Sequence, residues 1–262
     1  LTETGTPKIH GEWLGQTKIN ALEFILQLRG VRHRMRVIDN KALLLKVRNP
    51  HQILNAIPAS KYLGDHKVLV RWGIDESRVL KNLDIKEVPS PIMGKYGWVG
   101  QFAPMEHQKT TSAFLTMHQR CFCFNEQGTG KTASAIWASD FLLTQKVIKR
   151  VLVLCPLSIM DSAWRADMFK FAMHRTVSIA YGSKTKREKI INSGSEYIIM
   201  NYNGVEIVQD AIAAGGFDLI IVDEATHYKN PSTNRWKALN KLINANTWLW
   251  LMTGTPAAQS PV

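Results

Sequence analysis

The sequence predicts an α/β protein: a parallel sheet flanked by helices over residues 96–262, preceded by a small α+β unit over residues 1–95. Three observations predict it. From residue 96 onward, short apolar runs alternate with stretches of helical periodicity, the pattern of a parallel sheet with crossover helices. A glycine-bearing loop sits where one of those runs gives way to a helix. Between the two compositions lies a Pro- and Gly-rich stretch near residues 88–104, read as a linker. With 262 residues, 45% of them hydrophobic, the chain can build one full core and a smaller one.

In the amino-terminal unit, Ile19, Leu22 and Leu26 share a helical face. Arg34–Arg48 reads as a β-hairpin turning at Asp39-Asn40. Met35, Val37, Leu43, Leu45 and Val47 then fall on one face, and Arg34, Arg36, Lys46 and Arg48 on the other. Two readings of that second face are open: a basic surface for nucleic acid, or an ordinary solvated exterior. In the larger unit, the runs Cys121–Phe124, Val151–Cys155, Val177–Ala180, Tyr197–Met200, Leu219–Val222 and Trp248–Met252 lack polar alternation, as parallel strands buried on both faces do. Between them, Ala133, Ile136, Trp137 and Phe141 fit one helical face. Met160, Trp164, Met168 and Phe171 fit a second, and Trp236, Leu239 and Ile243 a third, all as core.

The formal net charge is +12, which points to an anionic partner, most often nucleic acid. Residues 1–95 hold 16 basic against 9 acidic residues, so the smaller unit is the more basic per residue. The three cysteines, Cys121, Cys123 and Cys155, are an odd and small number with no nearby ligand cluster; they read as buried strand residues in a reducing compartment. No apolar run has the length of a membrane span and the amino terminus has no secretion-signal core. The expectation is a cytoplasmic protein without membrane contact. Oligomeric state stays open, with a monomer expected.

Asn125-Glu126-Gln127-Gly128-Thr129-Gly130-Lys131-Thr132 runs from a strand end through a loop into a helix start. Gly128 and Gly130 let the chain turn tightly, so the amides of Gln127, Gly128, Thr129 and Gly130 converge on one anion. A helix starting at Lys131 adds its positive end. Lys131 suits β- and γ-phosphates, and the Thr132 hydroxyl suits magnesium. Its counterpart, Asp223-Glu224, closes the apolar run Ile220-Ile221-Val222, 92 residues beyond Lys131. Asp223 suits magnesium, and Glu224 suits the base that takes a proton from attacking water. Lys131, Asp223 and Glu224 are the candidate catalytic residues, with ATP and magnesium as cofactors.

These segments occur in the order of the superfamily II helicase motifs, together with Phe102–Gln108, Pro156-Leu157-Ser158, Asp223–Asn230 and Thr253-Gly254-Thr255-Pro256. The chain resembles the Swi/Snf-type DNA translocases, in particular phage-encoded members, over residues 96–262. The resemblance implies a RecA-like P-loop NTPase domain with a Walker A/Walker B site. It implies that Gln108 reads adenine, and that Ser158 and Thr255 either contact a DNA phosphate or couple the nucleotide site to the track. Phe102 either stacks on adenine or packs in the linker, and His227 either senses the γ-phosphate or caps the strand. Lys184, Lys186, Arg187 and Lys189 either track a DNA backbone or form a solvated helix face. Two departures stand out: Asn125 opens the loop in place of Gly or Ala, and Thr226 replaces the fourth motif II residue. The sequence stops just after motif III, so this is expected to be the amino-terminal half of a longer enzyme, binding nucleotide but hydrolysing it slowly without a second RecA-like domain.

The function implied is a DNA-dependent ATPase motor, a helicase or translocase acting on duplex or branched DNA. Two alternatives remain: an ATP-switched nucleic-acid-binding module without motor activity, and the motor part of a restriction nuclease. For the latter, no nuclease-like carboxylate–lysine cluster stands out.

Overall fold

A computed structural model describes residues 35–255. The helix expected around Ile19, Leu22 and Leu26 lies outside the described residues, as do Arg34 and Pro256. The chain divides into two compact units, Leu1–Val88 and Pro89–Val262.

In the smaller unit, β1 (Met35–Ile38) and β2 (Ala42–Lys46) form the expected hairpin, pairing Met35 with Leu45 and Val37 with Leu43. Asp39 and Asn40 take φ of 48° and 53°, and Lys41 N–H closes the turn on Ile38 O at 2.9 Å. Two successive left-handed residues match the twist of the strands, and short polar side chains tolerate that conformation. Helix α1 (Pro50–Ala56) begins on a proline, whose fixed φ and missing N–H suit the first helical position. Then come β3 (Lys61–Tyr62), β4 (Lys67–Arg71) and α2 (Ile74–Asn82). The sheet is antiparallel in the order β1-β2-β4-β3. Leu43, Leu45, Val68 and Val70 pack with Ile53, Trp72 and Leu80 on one face.

The opposite face is not basic throughout. It carries a second apolar cluster of Ile38, Ala42, Leu44 and Leu69. Arg36 pairs with buried Leu44 across the hairpin, Lys46 ends its strand in an ion pair with Asp65 at 3.2 Å, and Arg48 lies in a bend past the strand. Period-two spacing assigned cations to the face but not the apolar residues they share it with.

The larger unit opens with α3 (Ile92–Lys95) and α4 (Glu106–Met117). Its sheet strands are β5 (Arg120–Cys123), β6 (Val151–Cys155), β7 (Val177–Ile179), β8 (Tyr197–Asn201), β9 (Leu219–Val222) and β10 (Trp248–Met252). All six pair in parallel, in the order β5-β10-β9-β6-β8-β7. Each of the six apolar runs is therefore a strand. Every residue of β6 and β9 is buried, as a sheet covered on both faces requires. Helices α5 (Lys131–Thr144), α6 (Ala166–Phe171), α7 (Lys184–Ile191), α8 (Tyr202–Ile207), α9 (Gln209–Ala214) and α10 (Asn234–Leu242) connect them. Among the described residues, no helix is long and apolar enough to cross a membrane.

The Pro/Gly-rich stretch is packed rather than free. Ser90 and Thr116 share a hydroxyl hydrogen bond at 2.7 Å, Tyr96 OH donates to Asp140 Oδ2 at 2.5 Å, and the Trp98 ring stands edge-on to Trp137 at 6.0 Å. Met160–Arg165 departs from a regular α-helix: it is a π-helix, preceded by a 3₁₀ turn at Leu157–Ile159 and running into α6.

Candidate nucleotide site

Parallel strands deliver their carboxyl ends to one edge of the sheet. The glycine loop follows β5, Asp223-Glu224 follows β9, and Thr253-Gly254 follows β10, which lies between them. Gly130 caps α5 in the left-handed conformation, φ 76°, and Gly128 has φ 79°. A side chain at Gly128 would meet nothing within 4 Å, so the outer wall of the loop is open. At Gly130, a Cβ would stand 2.2 Å from Gln108 Nε2. The Lys131 side chain is buried inside the loop and donates to Asn125 O and Glu126 O, both at 2.9 Å. Gly254 is the close neighbour on the third strand: its Cβ position lies 2.7 Å from Gln127 Cγ and 3.3 Å from Lys131 Nζ.

Asp223 is 6% exposed. Its Oδ2 accepts from Trp164 Nε1–H at 2.9 Å and its Oδ1 from the Glu224 amide at 3.0 Å. Its backbone oxygen accepts from Tyr202 OH. Burial pushes the Asp223 carboxyl above the ordinary range; the Trp164 and Glu224 N–H groups and Lys131 oppose the rise, while the Glu224 charge adds to it. Burial also raises the neighbouring thiols, that of Cys155 up to about 12. Neither cysteine, nor the half-exposed Cys121, is in a disulfide. Glu224 sits at φ 51°, left-handed for a residue with a Cβ; such strain persists only where surroundings enforce it and gathers at functional sites. Its Oε2 receives the Thr253 hydroxyl at 3.4 Å.

Hard carboxylate and hydroxyl oxygens, a buried ammonium and a glycine-bearing loop at a helix start suit a magnesium-bound polyphosphate. Thr132, in the first turn of α5, is half-buried. Gln108 lies against the loop, donating Nε2–H to Thr129 O at 3.3 Å and accepting the Met105 amide at 2.9 Å. His107 Nε2 also meets Thr129 O, at 3.0 Å. Phe102 is exposed. Ser158 is exposed on the 3₁₀ turn beyond β6, and His227 is exposed with its ring 5.1 Å from that of Tyr202. The basic run on α7 divides: Lys184, Lys186 and Lys189 face out, but Arg187 is buried, donating to Ala180 O at 2.9 Å and Asn201 Oδ1 at 3.0 Å.

Sequence reasoning missed two supports of Asp223. Helical spacing makes Trp164 core, and its place after Pro156-Leu157-Ser158 resembles a motif of the Swi/Snf-type translocases, but neither tells where an indole N–H points. Tyr202 was passed over, although it follows a parallel strand at the sheet edge where ligands gather.

With this geometry in hand, comparison with known proteins is informative. A family model described as SNF2-related domain matches residues 19–261. The chain is 31% identical over 134 residues to an uncharacterized ATP-dependent helicase of Mycoplasma genitalium, covering 50% of this chain and 13% of that one. Protein p41 of Acyrthosiphon pisum secondary endosymbiont phage 1 is 27% identical over 166 residues, covering 60% and 36%. Among solved structures, the Sulfolobus solfataricus SWI2/SNF2 ATPase core in complex with dsDNA superposes with a TM-score of 0.53 at 25% identity, covering 60% of this chain and 33% of that one. The chain therefore spans well under half the length of each of these three.

Proposed function

The chain belongs to the SNF2-related domain family, and from that premise we propose that it carries the ATP-hydrolysing site of a motor that acts on duplex or branched DNA as a helicase or translocase. One observation supports this above the rest: Lys131, Asp223, Glu224 and Thr253, drawn from three adjacent strand ends, converge on one site. Charge supports the DNA partner, as does the double-stranded DNA named with the similar ATPase core.

In this reading the amides of Gln127–Gly130 and the Lys131 ammonium hold the β- and γ-phosphates, while Gln108 meets the adenine edge. Thr132 and Asp223 hold magnesium, which when bound neutralises phosphate charge. Glu224 takes the proton of the attacking water on its carboxylate, with Oε2 oriented by the Thr253 hydroxyl. Ser158 meets a backbone phosphate of the track, a contact that positions without reading sequence. Three cysteines outside any disulfide support a reducing, cytoplasmic setting.

Glu224→Gln tests the reading. Nucleotide binding should persist while DNA-stimulated turnover of the complete protein falls about 10²-fold or more, the usual span for losing a general base. Turnover at the parent rate would refute it.

A further inference from the structure

Buried tryptophans ordinarily satisfy their single N–H with whatever acceptor is near. Two in this chain do so on backbone carbonyls: Trp137 on Val99 O at 2.7 Å and Trp250 on His118 O at 3.1 Å. Trp164, fully buried, instead points its N–H at a side-chain carboxylate, Asp223 Oδ2, at 2.9 Å. It does so from Met160–Arg165, the π-helical segment. A π-helix inserts a residue into the α-helical phase, is rare, and recurs at functional positions. Here it keeps Met160 and Trp164 both inward while carrying the indole to the tip of β9.

The hydrogen bonds around Asp223 divide evenly. One donor reaches Oδ1, from the Glu224 backbone, and one reaches Oδ2, from Trp164. A carboxylate has about four acceptor directions, so each oxygen is fixed yet keeps a lone pair free. A buried carboxylate without such donors would be costly and free to rotate. We infer that Trp164 is a positioning residue of the nucleotide site, setting the orientation of the Asp223 carboxylate through its indole N–H. The inference rests on the reading of Asp223 as a magnesium-holding group. Groups that orient a metal-holding side chain typically shift metal affinity about 10–100-fold when removed.

Trp164→Phe retains an aromatic ring and removes the donor. Trp137→Phe removes the donor of another buried tryptophan, one whose hydrogen bond ends on a backbone carbonyl, and serves as the control. A fluorescent ATP analogue is titrated into the full chain with and without magnesium chloride, and thermal unfolding is followed in parallel. The expected result is that Trp164→Phe raises the magnesium concentration for half-maximal tightening about tenfold, with metal-free affinity unchanged, while Trp137→Phe leaves the magnesium dependence at the parent value. A magnesium dependence unchanged in Trp164→Phe, or shifted equally in both variants, overturns the inference. If Trp164→Phe unfolds early, Trp164→Met, a flexible apolar side chain that also lacks the donor, is titrated instead; parent-like magnesium dependence there also overturns it. A parent chain that binds the analogue identically with and without magnesium would bring down the reading of the site itself, and this inference with it.

Discussion

At the residue scale, close approaches decide which side chains are replaceable. Gly204, in α8, faces Arg187: a Cβ there would stand 2.2 Å from Arg187 Nη1 and 3.1 Å from Asn201 Oδ1. An arginine tip usually moves aside, but this one is buried and held by Ala180 O, Gly182 O and Asn201 Oδ1. Gly204→Ala should therefore cost about 1–3 kcal/mol, the range for overpacking a filled interior. Urea unfolding measures it, and the cost should shrink in an Arg187→Met background, since contacting residues couple. Arg187 also shows a limit of sequence reading. It stands in a run of lysines that face solvent, and its own side chain alone turns inward. The phosphate loop and Asp223-Glu224 were legible because their chemistry depends on residue type at fixed spacing. Trp164 and Tyr202 were not, because their contribution depends on the direction of one polar atom.

At the element scale, the strands were legible and the π-helix was not. A parallel strand buried on both faces must be apolar throughout, so β6 and β9 announce themselves. Met160, Trp164, Met168 and Phe171 also read as one helical face, and three of them are indeed buried. Periodicity alone cannot distinguish a regular helix from one carrying an inserted residue. Side-chain networks between elements are equally silent in sequence. Arg175, in the loop before β7, donates to Asp140 Oδ1 of α5 at 2.5 Å and to Glu196 Oε1 at 2.7 Å. Burial pushes the Glu196 carboxyl up, yet the Thr176 N–H and the Arg175 guanidinium outweigh it and hold it below its ordinary value. A depressed carboxyl stabilises the fold above its unfolded pKa of about 4.3, and that contribution is lost as pH falls through the lower folded value. Glu196→Gln should thus unfold at lower urea than the parent at pH 7. The gap should narrow below about pH 4 as the parent's own carboxyl is protonated.

At the scale of the whole molecule, two cores imply two stabilities. The smaller unit packs Leu43, Leu45, Val68 and Leu80 among its own elements, and the larger one builds a separate cluster around Leu152, Ile198 and Ile220. Units with their own cores fold on their own account. Leu43→Ala should lower the stability of the smaller unit by about 2–5 kcal/mol, while nucleotide affinity stays at the parent value by analogue titration. Unequal composition made the existence of two units legible. It did not show that Ser90 and Tyr96 are anchored to the larger one, since Pro and Gly mark turns as readily as tethers. The sheet order has a further consequence for how the protein comes into being. β5 pairs with β10, Phe122 opposite Leu251, so the phosphate loop leaves the ribosome well before the strand that seats it. At roughly 5–20 residues per second that interval lasts on the order of ten seconds, during which the nascent chain carries the loop without the strand that will flank it.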